Sequence, residues 1–412
     1  MTDPRPKLLV LASTFPRWAG DTEPRFVESL SYELAESFDV VVLAPHCRGA
    51  RGEEVFTNDG RSIEVRRYRY CLAALENLTY DGGMLARVRE KPLRMLLLPL
   101  FLLAQFIAVV RLQREFRFDA MHSHWIIPQG LVASIYRALW RRSPPLLITS
   151  HGGDLYALRG RSLERLKRWI LKRADAVTVV SAAMREYCEE RRFAPGRIAV
   201  QSMGVDLEKT FTPGDGGAQR AGLVFVGRLV EKKGVEYLIE AISILATSYP
   251  DVRLKIVGDG PLQQPLKDLA ARLKVSDKVE FVGSVLNVEV PDYLRAAEIA
   301  VMPSVVAASG DQEGLGLVAV EAMGCGCAVV ASDLPAVRDT VIDGQTGLMA
   351  EPENAADLAA KIAVLLDDDA LRSKLAEVGG RHAVENFDWK AVGESYSSIF
   401  AELIANARTV HR

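Results

Sequence analysis

Cysteine is scarce in this 412-residue chain: the five present (Cys47, Cys71, Cys188, Cys325 and Cys327) are odd in number and scattered, apart from one Cys-x-Cys pair without metal-ligand spacing. A disulfide framework is not expected, and reduced thiols in a cytoplasmic protein are. An excess of charge of one sign is also missing. Lys and Arg number 51 against 53 Asp and Glu, a formal net charge of -2, so binding of nucleic acid by bulk electrostatics is excluded and any phosphate site must be local. From Met1 to Lys7 the chain is polar and Pro-rich and runs straight into an apolar strand, without the charged-then-apolar order of a secretory signal. Several loop signatures are absent as well. There is no G-x-x-x-x-G-K-S/T, no G-x-S-x-G, and no G-x-G-x-x-G after the first apolar run, where Ser13-Thr14-Phe15-Pro16 stands instead. Kinase, esterase and ordinary dehydrogenase chemistry thereby lose their main support.

What is present is a substantial apolar content, 49%, in a chain longer than one core usually supports, so two domains are expected. Short β-branched runs at 8–12, 40–43, 146–149 and 177–180 alternate with longer helical stretches, the pattern of parallel strands joined by crossover helices. A Gly/Pro/Asp-rich stretch at 212–217 interrupts it before strands resume at 223–226, 254–257, 279–282, 299–302 and 328–331. Consecutive helices at 355–366, 371–385 and 389–407 close the chain. The expected division is 1–210, 218–385 and a final helix over 386–412 that returns to the first domain. No repeat or low-complexity segment is found.

A long uninterrupted hydrophobic run is missing too. The most apolar stretch, 93–110, is broken by Arg94, Pro99 and Gln105, and basic residues (Arg87, Arg89, Lys91, Arg111, Arg114) flank it on both sides. A spanning helix needs ~20 largely apolar residues and normally an asymmetric charge bias. Three readings stand: a span, a helix packed in or beside a cleft, and an interfacial helix held at an anionic membrane surface.

Chemistry concentrates in a few loops. Glu313-Gly314-Leu315-Gly316 leads into a helical run ending at Glu321, followed by the small residues Ala322, Gly324 and Gly326. A helix starting near Gly316 would present unpaired amides to a diphosphate, Glu321 would lie a turn further in, where it can accept from ribose hydroxyls, and Glu313 would be free to reach a sugar. A capping carboxylate plus an ordinary helical Glu is the plainer reading. Gly227-Arg228-Leu229-Val230-Glu231-Lys232-Lys233-Gly234 follows the first strand of the second half. Arg228 and Lys233 can neutralise a diphosphate without a metal, or can be a solvated basic turn. In the first half, His151-Gly152-Gly153-Asp154 follows a strand end. His151 can bond a sugar hydroxyl or be structural; Asp154 can accept an acceptor's proton or cap a helix. The pair in His122-Ser123-His124-Trp125 lacks a third ligand at a familiar spacing, so no metal site is expected, and Asp367-Asp368-Asp369 reads as a solvated charge run.

Together these elements resemble glycosyltransferase family 4 over essentially the whole chain: Glu313-x7-Glu321, Gly227-Arg228-Leu229 with Lys233-Gly234, and His151-Gly152-Gly153-Asp154 stand in that family's order. The resemblance implies an α/β GT-B fold, two Rossmann-like doubly wound domains facing across a cleft with C-terminal helices capping them. It also implies a retaining, metal-independent transferase without cofactor. Arg228 and Lys233 would hold the diphosphate of a UDP-sugar or GDP-sugar, Glu321 the ribose, Glu313 the transferred sugar, and His151 would lie near the reacting centre. Gly227, Gly258, Gly260, Gly314, Leu315 and Gly316 would complete the donor side, and Gly20, His124, Trp125 and Asp154 the acceptor side. The first loop departs from the family, with Trp18-Ala19-Gly20-Asp21 where many relatives carry a Gly-Gly pair. The tract 75–83 and Ala307-Ala308-Ser309-Gly310-Asp311 resemble members that build bacterial surface polysaccharides, whose acceptors are lipid-linked or free saccharides. A GT-B sugar-nucleotide epimerase and a silent nucleotide-sugar-binding scaffold are the rival readings.

Overall fold

The β-branched runs fold into buried parallel strands. A computed structural model describes residues 5–410, with residues 19, 22, 81–82, 157, 159, 194–197 and 215–219 outside the description. The chain forms two compact units, one of Met1–Val180, Met184–Gln201 and Val392–Arg412, the other of Ser181–Ala183 and Ser202–Ala391. The described part of the stretch 212–217 belongs to the second unit, where Arg295 donates to the carbonyls of Thr210 (2.7 Å) and Thr212 (2.9 Å); residues 215–217 lie outside the described residues.

The first unit carries eight strands: β1 (Lys7–Leu11), β2 (Asp39–Pro45), β3 (Glu53–Asn58), β4 (Arg61–Tyr68), β5 (Ala120–His124), β6 (Leu146–Ser150), β7 (Ala176–Val179) and β8 (Ile198–Val200). Their order is β3-β4-β2-β1-β5-β6-β7-β8, parallel except for the antiparallel β3–β4 pair. Leu8, Leu9, Val10 and Leu11 of β1 are completely buried, as a central strand covered on both faces requires. Chain order reverses beside β1, between β2 and β5, so the carboxyl ends of β1 and β5 frame the crevice where open α/β sheets take ligands. The last helix, Trp389–Val410, finishes this unit's core: Phe400 lies 5.9 Å from the ring of Phe38 and 5.3 Å from that of His122.

The second unit carries β9 (Leu223–Val226), β10 (Leu254–Val257), β11 (Val279–Gly283), β12 (Ile299–Met302), β13 (Ala328–Ser332) and β14 (Leu348–Ala350), all parallel in the order β11-β10-β9-β12-β13-β14. Phe225, Ile256, Val301 and Val330 from the sheet pack with Leu238, Ile242 and Ile362 from its helices. Here the reversal falls between β9 and β12. The aspartate run is more than a solvated patch. Asp367 accepts from Tyr249 Oη (2.8 Å), Asp368 caps the helix Asp369–Phe387 through Leu371 N (2.8 Å), and Asp369 pairs with Arg372 (2.8 Å).

Candidate functional site

In the second unit, two strand-end loops lock together. Gly227 N donates to Val257 O and Leu229 N to Asp259 O, both at 2.9 Å, so the loop after β9 runs along the loop after β10. The fit demands glycine at 258: φ is +133°, and a Cβ there would stand 2.0 Å from the carbonyl oxygen of Gly227. Gly260 lies on the second loop, against Leu229. Between these constraints Arg228 emerges exposed, without an ion pair among the described residues.

Lys233 ends the next turn. Its Nζ lies 2.8 Å from Glu313 Oε2, with both side chains largely buried. Glu313, free to reach a sugar by the sequence reading, is therefore already ion-paired, across eighty residues of chain. The turn and the segment after β12 are stitched further: Val305 N donates to Lys232 O (2.9 Å), Ala308 N to Glu231 (2.7 Å), and Lys232 meets Asp311 at 3.2 Å.

Beyond Glu313 the chain passes Gly314 and the buried Leu315, whose carbonyl accepts from Thr340 Oγ1 (3.3 Å), and enters the helix Leu317–Gly324. Gly316 opens that helix at φ +79°, a left-handed cap that glycine adopts at little cost. Among the described residues no side chain caps this end and no acid sits in its first turn, so the positive end of the helix dipole is left uncompensated there. Glu321 stands one turn in. Burial pushes its carboxyl up to about 7, partly offset by the Lys233 charge, and its carboxylate makes no hydrogen bond among the described residues. The Lys233 ammonium acts on the Glu321 carboxyl, and the Lys233 side chain lies against Gly227, the residue before Arg228. An ammonium, a helix N-terminus and a carboxylate that gains by accepting hydrogen bonds are the groups that a diphosphate joined to a polyol requires.

In the first unit, the carboxyl ends of β5 and β6 bring three imidazoles together. His122 Nε2 bonds Thr149 Oγ1 (2.7 Å), which bonds Thr178 Oγ1 (2.6 Å). His124 Nδ1 and His151 Nε2 are 3.0 Å apart with stacked rings. One of the two must donate and the other accept, so their tautomers are coupled. Burial drives His122 and His151 down to about 3 and His124 well below its ordinary value, so all three are neutral. His122 Nδ1, His124 Nε2 and His151 Nδ1 are enclosed and have no hydrogen-bond partner among the described residues.

Asp154 is buried and accepts from Ile126 N (2.7 Å), Ser150 Oγ (2.9 Å) and His151 N (3.3 Å). It ties the loop after β5 to the loop after β6. Trp125 sits at φ +73°, strained for a bulky residue, with its ring 5.3 Å from that of His151. In the loop after β1, Gly20 has φ +82°, and Asp21 grips Arg17 through the backbone N and Nε (2.8 Å each) and the guanidinium tip (2.7 Å); Ala19 lies outside the described residues.

Three residues escaped the sequence reading: Phe26, whose ring lies 4.8 Å from that of His151, and Thr178 with Tyr396, which complete the hydroxyl chain behind His122. No local motif marks them: Phe26 opens the helix Phe26–Leu34, Thr178 lies within β7 and Tyr396 on the last helix.

Comparison with known proteins agrees with this layout. The model described as Glycosyltransferase Family 4 matches residues 24–209, and Glycosyl transferases group 1 matches residues 217–382. An uncharacterized glycosyltransferase of Methanocaldococcus jannaschii is 31% identical over 286 residues, 69% of this chain and 76% of that protein. The glycogen synthase of Mycobacterium tuberculosis strain H37Rv is 29% identical, over 91% of this chain and 90% of its own. A GDP-mannose-dependent alpha-(1-6)-phosphatidylinositol monomannoside mannosyltransferase of Mycolicibacterium smegmatis is 28% identical over 97% and 99%. Among solved structures, sucrose-phosphate synthase from Thermosynechococcus elongatus superposes with a TM-score of 0.73 at 23% identity, covering 98% of this chain and 100% of that one, which establishes the GT-B fold.

Proposed function

Since the chain belongs to glycosyltransferase family 4 and is a glycosyltransferase of GT-B fold, we propose that it moves a sugar from a UDP-sugar or GDP-sugar to a hydroxyl of a lipid-linked saccharide, with retention of configuration and without a metal. The observation that carries this reading is Lys233, paired with Glu313 and acting on Glu321, with an uncapped helix start at Gly316 and with Arg228 exposed on the same loop as Lys233. As the bond from the anomeric carbon to the diphosphate breaks, negative charge grows on the leaving oxygen, where two cations and a helix dipole stabilise it. The acceptor oxygen bonds to the same face of the anomeric carbon and yields its proton to the departing diphosphate. Lys233 would then exchange part of its pairing with Glu313 for the diphosphate, leaving Glu313 to the sugar's hydroxyls. In the first unit, neutral His151 would offer a hydrogen bond to a sugar hydroxyl, in the tautomer that His124 permits. The lipid-linked acceptor draws support from the apolar segment 93–110 and from the mannosyltransferase relative, and it implies work at the cytoplasmic face of a membrane.

The test is a thermal-shift panel of UDP, GDP and their sugars, followed by turnover with the donor that binds. A true donor at ~100 times its dissociation constant stabilises the fold by about 2.7 kcal/mol. Arg228→Ala and Lys233→Ala are expected to keep the fold and lose ~100-fold or more in turnover. EDTA is expected to leave turnover unchanged; loss restored specifically by Mn2+ or Mg2+ contradicts the metal-free reading.

A further inference from the structure

The helix Leu98–Phe116 has two apolar stripes, of which one is packed. Phe101, Gln105, Val109 and Leu112 turn inward, and Phe101 meets Tyr68 and Tyr70 edge-on at 5.4 and 5.2 Å. On the other side Leu96, Leu100, Leu103 and Ile107 are 74, 49, 56 and 40% exposed, with Leu93 and Met95 exposed just before them. A second element widens this face. Trp140, following the helix Leu131–Leu139, stacks on Tyr136 (4.8 Å) and approaches Phe106 (6.0 Å), keeping exposed Leu139 beside it. So many large apolar side chains on one face differ from the single exposed leucines of an ordinary surface.

The rim of the face is cationic. Arg89 and Lys91 precede it, Arg111 and Arg114 continue its outer stripe, and Arg141 and Arg142 follow Trp140; all six are exposed and form no ion pair among the described residues. The acidic neighbours are occupied: Glu90 pairs with Arg87 and Arg94, Glu115 with Arg66.

We propose that this composite face docks in plane on an anionic lipid bilayer, the leucines and Trp140 entering the headgroup boundary and the six cations pairing with lipid headgroups. Charge complementarity selects lipid over a second copy of the chain, since two such faces brought together would oppose rims of like sign. The inner stripe argues against a span, because crossing a bilayer would strip Phe101 and Val109 from the sheet they cover. The inference stands whichever donor the enzyme uses.

The test is co-sedimentation of the full chain with phosphatidylcholine vesicles, with and without about one third phosphatidylglycerol. Binding is expected to the anionic vesicles alone and to be released by high salt. Arg111→Gln/Arg114→Gln is expected to lower partitioning roughly 25-fold, about fivefold per charge. Leu96→Glu/Leu103→Glu is expected to abolish it, both variants keeping wild-type circular dichroism. If the glutamate variant does not fold, the glutamine variant decides alone. Wild type that ignores anionic vesicles overturns the proposal, as does binding that survives high salt and carbonate, which marks a span. A dimer that Leu96→Glu dissociates, with no vesicle binding, overturns it in favour of a second copy.

Discussion

Glu321 and the buried histidines respond to pH with opposite sign. Glu321 sits at about 7 because burial disfavours its charge, so below that pH it is mostly protonated and a poor acceptor for two hydroxyls. Nucleoside-diphosphate affinity, read by calorimetry, is expected to rise between pH 6 and 8 and to lose that rise in Glu321→Gln. An acid raised in the fold lends stability below its unfolded pKa and loses it as pH climbs through about 7. The same substitution should therefore stabilise the ligand-free protein at pH 8, by about 1–3 kcal/mol. His122 and His151, depressed to about 3, do the reverse: their contribution is complete above about 6.5 and is lost as pH falls toward 3, at ~1.4 kcal/mol per pH unit for each. Two or more such histidines outweigh one carboxyl, so the urea midpoint should drop steeply between pH 6.5 and 5. A flat midpoint there would show that these imidazoles are not held neutral.

Among elements, the two glycine-dependent loops should fail differently. Gly316→Ala meets only ordinary contacts, the nearest 3.4 Å away at Met302, so its cost is the strain of a left-handed alanine, ~1 kcal/mol, with weaker diphosphate binding. Gly258→Ala drives a Cβ into the Gly227 backbone and should unfold the pair of loops, which thermal melts would show as a loss of several degrees or more. The central strands are readable because buried parallel strands are continuous apolar runs, and β9, β10 and β12 end where the sequence places them, whereas the three-residue edge strands β8 and β14 are too short to leave such a run. The β3–β4 hairpin was passed over although it carries its own signal, Asp59-Gly60 at positive φ between alternating strands. The sequence motifs name Glu313 and Lys233 separately. Their pairing was not readable, since it depends on β9 and β12 lying side by side.

At the scale of the molecule, the units differ in how the chain supplies them. The second is almost continuous, Ser202–Ala391 with three residues from Ser181–Ala183, and expressed alone it should fold cooperatively and bind the nucleoside diphosphate. Retention of structure without any binding would move the donor site elsewhere. The first unit is interrupted and depends on the chain's last helix. Tyr396 brings its hydroxyl to Thr178 (3.5 Å) and Thr149 (3.4 Å), behind His122, and Phe400 fills the space beside Phe38. During synthesis, the N-terminal sheet therefore leaves the ribosome long before the residues that seal it. Until Tyr396 and Phe400 arrive, the His122 ring would lack the two rings that cover it. The first unit, begun earliest, would thus be completed last, so a nascent or truncated enzyme could hold donor before it could use it.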